Sequence, residues 1–268
     1  MKRQHKGILP VLLLCAAAAM TTSCIFVPEE EEKLTKDGMT LAWSDEFDSG
    51  SVPSPSNWTY EILPRGKYNN EKQAYVQNSA NAYVSGGTLK IKAVKDSNGN
   101  WTSTRINTSG HHSWKYGIIE ARIKLPGSNG TWPAFWMMPQ NSVYDGWPAS
   151  GEMDIMENAP TTKGKYFAFS TLHASGHYGS NGKSIGGKTL DSSWHTYAIK
   201  WTSDKITAYY DDVAQETYYN DGSGSVNWPY DQSFYVILNL AMGGDLGGEI
   251  DSSLSSAIYE IDYVRVYQ

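Results

Sequence analysis

Cysteine is nearly missing from this 268-residue chain: there are two, Cys15 and Cys24, both close to the start. Beyond Cys24 no thiol remains, so neither a disulfide framework nor a thiolate zinc site supports the rest, which must rely on its core. Basic charge is short as well. Against 28 Asp and Glu stand 22 Lys and Arg, a net charge of -6 with no basic patch, which disfavours a nucleic-acid partner. The longest apolar run, residues 8–20, falls short of the roughly 20 residues that span a bilayer. No long stretch carries the period of an amphipathic helix, which argues against a helical bundle.

What is present begins with an address. Lys2, Arg3 and Lys6 precede the apolar run, the layout of an export signal. The run ends in Thr21-Thr22-Ser23-Cys24, which resembles a bacterial lipoprotein cleavage site, with Thr21 standing where Leu is commoner. That resemblance makes residues 1–24 a lipoprotein signal and Cys24 the lipidated residue; an ordinary secretory signal cut nearby is the alternative. Residues 25–38, with the acidic run Glu29 to Glu32, read as a solvated tether, and 39–268 as one domain. Acidic residues just after such a cysteine resemble the cue for cell-surface display on the outer membrane. A monomer is expected.

From Thr40 onward short alternating runs are broken by Gly, Pro, Asn and Asp. In the run from Gly117 to Leu125, Ile119, Ala121, Ile123 and Leu125 share one face, and Glu120, Arg122 and Lys124 share the other. Thr202-Ser203-Asp204 joins two strand-like runs as a hairpin turn, and Phe234 to Leu240 is a continuous apolar strand. Many short strands with turn signals make this an all-β sandwich or jelly roll. An aromatic content of 13% beside only 19% charged residues suits a sandwich carrying an aromatic-lined groove.

Chemistry concentrates in Gly151-Glu152-Met153-Asp154-Ile155-Met156-Glu157-Asn158. On a regular strand Glu152 and Asp154 share a face, while Glu157 has the opposite parity. One extra residue, a β-bulge within Asp154-Ile155-Met156, returns Glu157 to their side. The two Glu Cα atoms then stand roughly 13 Å apart, and inclined side chains bring the carboxyl groups to roughly 5 to 6 Å, as in a retaining glycosidase. Crowded acids push at least one pKa upward, separating a proton donor from an ionised neighbour. A solvated acidic edge or a calcium loop is the plainer alternative.

The surrounding residues narrow the choice. Gly130-Thr131-Trp132-Pro133-Ala134-Phe135-Trp136-Met137 and Gly146-Trp147-Pro148-Ala149 lead into the acidic stretch. With its E-x-D-x-x-E motif, the chain resembles glycoside hydrolase family 16, in particular the laminarinase-like endo-β-1,3(4)-glucanases. The likeness runs from Leu41-Ala42-Trp43-Ser44-Asp45-Glu46 to Asp262-Tyr263-Val264-Arg265-Val266-Tyr267. It implies a concanavalin-like β-jelly roll with a concave substrate-binding cleft. It also implies Glu152 as nucleophile, Glu157 as acid/base, Asp154 as the assisting carboxylate, and β-1,3 or mixed β-1,3/1,4-glucan as the polymer cut. A catalytically silent glycan-binding lipoprotein, or an agarase or carrageenase on the same fold, remains an alternative.

The same resemblance assigns Trp136 and Trp147, and less firmly Trp132, to sugar stacking. It places Asn70 and Arg105 beside the sugars and His173 beside the acid/base; core packing, a surface Arg and a satisfied core His are the competing readings. No cofactor is required for the chemistry. Structural calcium is implied through Glu46, Gly87 and Asp262, oxygen donors suited to that ion, though Asp262 also reads as an ion-pair partner. Two other motifs are set aside. His173 and His177 lack further ligands for zinc, and Gly182-Lys183-Ser184 lacks the glycine and the strand-loop-helix context of a phosphate loop.

Overall fold

Period-two alternation commits most of the chain to ribbons with one apolar face, and such ribbons bury that face by stacking in pairs. The computed structural model describes residues 31–268; the predicted signal, Cys24 and the tether through residue 30 lie outside them. Two antiparallel-dominated sheets result. The first runs Val213–Tyr219, Lys205–Tyr210, His195–Trp201, Gly117–Lys124, Ser256–Tyr267, Thr88–Lys95, Trp101–Ser103 and Gln73–Tyr75, with Leu41–Asp45 and Ala82–Ser85 paired alongside. The second runs Lys183–Thr189, Phe167–His173, Glu152–Asn158, Thr131–Pro139, Phe234–Met242, Arg105–Asn107 and Thr59–Tyr60. This is the expected all-β jelly roll.

Between the sheets lies one continuous apolar core. Leu89, Ile91, Ile119 and Ile123 enter it from the first sheet, and Phe135, Met137, Met153, Val236 and Leu238 from the second, all fully buried. Each such side chain contributes about 1.5 to 3 kcal/mol relative to exposure. The hairpin expected around Thr202-Ser203-Asp204 is present, with Trp201 opposite Ile206.

The tether is expected to stay solvated to residue 38, and here the structure differs. Within its described part, the Leu34 amide donates to the Asp212 carbonyl at 2.7 Å and the Ala214 amide to the Glu32 carbonyl at 2.9 Å. Leu34 and Met39 pack on Ile118, Ala198 and Tyr209. Lys36 Nζ lies 2.7 Å from Glu120 Oε2, a carboxylate only 1% exposed. Alternation alone puts Glu120 in water; the strap covers it, the Lys36 ammonium balances its charge, and the Tyr263 hydroxyl donates to Oε1 at 3.0 Å.

Candidate active site

The acidic strand carries the irregularity that its parity demands. Against Thr131–Pro139, Asp154 faces Trp136 and Met156 faces Phe135, so two steps on one strand oppose a single step on the other. Against Phe167–His173, the step from Asp154 to Glu157 is matched by the shorter step from Thr171 to Phe169. Ile155 is the extra residue of the bulge, and both Ile155 and Met156 are buried in the core. Glu152, Asp154 and Glu157 consequently share the outer face. Gly151 leads into the strand at φ 85°, and a Cβ there would meet Pro229 Cγ at 2.9 Å, so glycine alone suits this entry.

Pairing across the sheet sets the neighbours of each acid. One row joins Phe169, Glu157, Ala134, Asn239 and Arg105, and the next joins Thr171, Asp154, Trp136, Ile237 and Asn107. Glu152 faces His173. Trp132 Nε1 donates to Glu157 Oε1 at 2.7 Å. His173 Nε2 lies 3.1 Å from Asp154 Oδ2. Its Nδ1 is buried with no partner among the described residues, against Gly182, where a Cβ would stand 2.9 Å from it. Asp154 Oδ2 likewise has no hydrogen-bond partner among the described residues, so imidazole and carboxylate face each other without a closed bond.

Burial is the main influence on all three acids. It pushes Glu157 up to about 7, opposed by the Trp132 bond and reinforced by the charge of Glu152. Burial and the neighbouring Asp154 push Glu152 up to about 8, and burial and Glu157 raise Asp154 well above the usual carboxylate range. Glu152 and Asp154 are hydrogen-bonded, so the proton that raises Glu152 belongs to the pair. The cluster thus keeps at least one acid protonated near neutral pH, the proton donor that acid/base chemistry on a glycosidic oxygen requires.

The model of glycosyl hydrolases family 16 matches residues 69–265. This chain belongs to glycosyl hydrolase family 16. A beta-glucanase of Rhodothermus marinus is 38% identical over 85% of this chain and 85% of its own. Among solved structures, SCLam, a non-specific endo-beta-1,3(4)-glucanase, superposes with a TM-score of 0.81 at 33% identity, covering 89% of this chain and 94% of its own. The laminarinase of Flavobacterium sp. UMI-01 superposes at 0.78 with 38% identity, covering 85% and 100%.

Most residues singled out from the sequence converge on this family 16 face. Trp136 lies beside Asp154, its Nε1 donating to Asn239 Oδ1 at 2.7 Å, and the Arg105 guanidinium sits 4.6 Å from its ring centroid. Arg105 is aimed by Glu61, Nε to Oε2 at 2.9 Å. Trp147 is half exposed and lies 6.3 Å from the His173 ring. Asn70 is on the rim, its amide donating to Asp245 at 2.7 Å.

The calcium set does not fit. Arg265 grips Glu46 through both oxygens at 2.9 and 2.8 Å, and Arg122 holds Asp262 at 2.7 Å. The acid facing Gly87 is Asp48, whose Oδ1 lies 3.6 Å from where a Cβ would be. Both predicted carboxylates are already balanced by guanidinium groups, so neither offers the unpaired charge that a calcium site needs. His177 is likewise no metal ligand: its ring nitrogens face the carbonyls of Leu172 and Asn227 at 3.0 and 3.2 Å.

Sequence reasoning missed Glu61, Asn239 and Tyr178. Asn239 had a visible signal, a lone amide inside an apolar strand. Glu61 had none, and Tyr178 had only its place in the Gly- and Ser-rich rim loop from Ser175 to Lys188.

Proposed function

We propose that this family 16 β-glucan hydrolase is a retaining endo-glucanase acting on β-1,3 and mixed β-1,3/1,4-linked chains by double displacement. The observation that carries the reading is the bulge at Ile155, which puts Glu152 and Glu157 on one face with Asp154 between them. Glu152 attacks the anomeric carbon, forming an ester as the glycosidic C–O bond breaks, and Glu157 gives its proton to the departing oxygen. The Glu157 carboxylate then takes a proton from water, whose oxygen displaces Glu152 and frees the second product. Asp154, with His173 3.1 Å away, holds Glu152 in place. Trp136 and Trp147 flank the carboxylates as faces for pyranose rings, with Arg105 offering its fork of donors to hydroxyls.

Glu152→Gln tests the assignment. Release of reducing ends from laminarin should fall at least about a thousandfold while binding of laminarin persists, and turnover at the wild-type rate would remove Glu152 as nucleophile. The wild type, offered laminarin, barley β-glucan, lichenan, agarose and carrageenan, should release oligosaccharides from the first three. Saturable binding without any release would establish the silent glycan-binding alternative instead.

The address is proposed on the sequence alone: residues 1–24 as a lipoprotein signal, Cys24 as the acylated residue and display on the outer surface, with 39–268 as the catalytic domain. Metabolic labelling with an alkyne fatty acid should mark the wild type and not Cys24→Ala; equal labelling of both would sink the anchor.

A further inference from the structure

On the flank of the carboxylate strand away from Arg105 and Trp136, the sheet continues through Phe167–His173 to Lys183–Thr189. The connection between those two strands raises Tyr178 at the rim, just before the short turn Gly179–Asn181. Tyr178 is 49% exposed and Trp147 is 50% exposed. Their ring centroids are 5.7 Å apart with planes at 84°. Trp147 in turn lies 6.3 Å from the His173 ring, which stands 3.1 Å from Asp154, so the aromatic pair is continuous with the acids.

The base of this loop is held from several sides. Ala174 and His177 exchange both backbone bonds at 2.8 and 3.0 Å, and the Gly176 amide donates to the Val226 carbonyl at 2.7 Å. The His177 ring bridges the Leu172 and Asn227 carbonyls. Tyr178 therefore stands half in water on a braced support, where its ring adds little to the core. A large apolar face kept exposed on a rigid support is a preformed platform, and the C–H face of a pyranose is the group that stacks on it.

We propose that Tyr178, with Trp147, forms a sugar subsite on this flank that takes a glucosyl unit of a β-1,3-linked chain. The inference rests on the endo-glucanase reading above. A chain touching both rings in succession must turn between faces nearly at right angles. A β-1,3-linked glucan turns at each linkage, whereas β-1,4-linked stretches run as flat ribbons, so the corner favours the former.

The test compares wild type, Tyr178→Ala and Tyr178→Trp on laminarin and on barley β-glucan, with melting temperatures as a check on folding. Tyr178→Ala should lower kcat/KM on laminarin about tenfold, the upper end of an aromatic contact, through KM with kcat within about twofold. The loss on barley β-glucan should be about threefold or less, and Tyr178→Trp should restore laminarin turnover to within about threefold of wild type. An unchanged laminarin KM in Tyr178→Ala, a tryptophan variant as impaired as the alanine one, or equal losses on both glucans would each overturn the proposal. A wild type inert on both polymers would defeat the enzymatic reading and this subsite with it; an active wild type beside an unaffected Tyr178→Ala defeats the subsite alone.

Discussion

Replacing Trp132 by Phe isolates a single hydrogen bond at the proposed acid/base. Trp132 Nε1 donates to Glu157 Oε1 at 2.7 Å, and the indole is only partly exposed. Phe keeps an aromatic ring against the sheet and removes the donor. The bond favours the ionised carboxylate, so losing it favours the protonated one and the pKa rises. Hydrogen bonds to charged groups contribute about 1.5 to 3 kcal/mol, and one pKa unit corresponds to about 1.36 kcal/mol. Because the indole is partly open, the lower end applies, a rise of about one unit. Glu157 sits at about 7 with the bond in place. In the first step it must be protonated, so the alkaline limb of the kcat/KM profile reports its deprotonation within the coupled cluster. That limb should move from near neutrality to roughly pH 8 in Trp132→Phe, read on laminarin across the pH range. A limb that stays in place, or moves toward acid, would refute both the bond's role and the assignment of Glu157.

Two further perturbations probe the frame. Deleting Ile155 takes out the extra residue, so Met156 still pairs with Phe135 and Glu157 with Ala134, and plain alternation keeps all three acids on one face; measurable hydrolysis of laminarin should persist despite a lower melting temperature, and complete loss in a folded variant would show that the bulge does more than set parity. Lys36→Met takes the ammonium from buried Glu120. Breaking a buried pair costs about 3 to 5 kcal/mol. Lys36 is one-third exposed and Tyr263 still bonds Glu120, so about 2 kcal/mol is expected, a melting temperature lower by about 4 to 8 °C; an unchanged melting curve would mean that the strap carries no load.

How much could be read in advance depended on how far apart in the chain the partners lie. Alternation from Gly117 to Leu125 identified a half-buried strand, and the parity of Glu152, Asp154 and Glu157 demanded a bulge before any register was known. Both are local: a strand's period and its defects lie within a few consecutive residues. Glu120 is the instructive exception. Its place on the polar face was legible, yet the strap that buries it arrives from Lys36, far along the chain.

By itself, then, the sequence determined the sandwich and the order of acids on the central strand, because both follow from side-chain alternation. Only the tertiary structure decided that Glu61 aims Arg105, that Asn239 holds the Trp136 indole, that Arg265 and Arg122 claim the acids expected for calcium, and that Tyr178 meets Trp147 at the rim. Those pairings join residues from distant segments, and no local spacing encodes which far-off charge or ring folding will bring alongside.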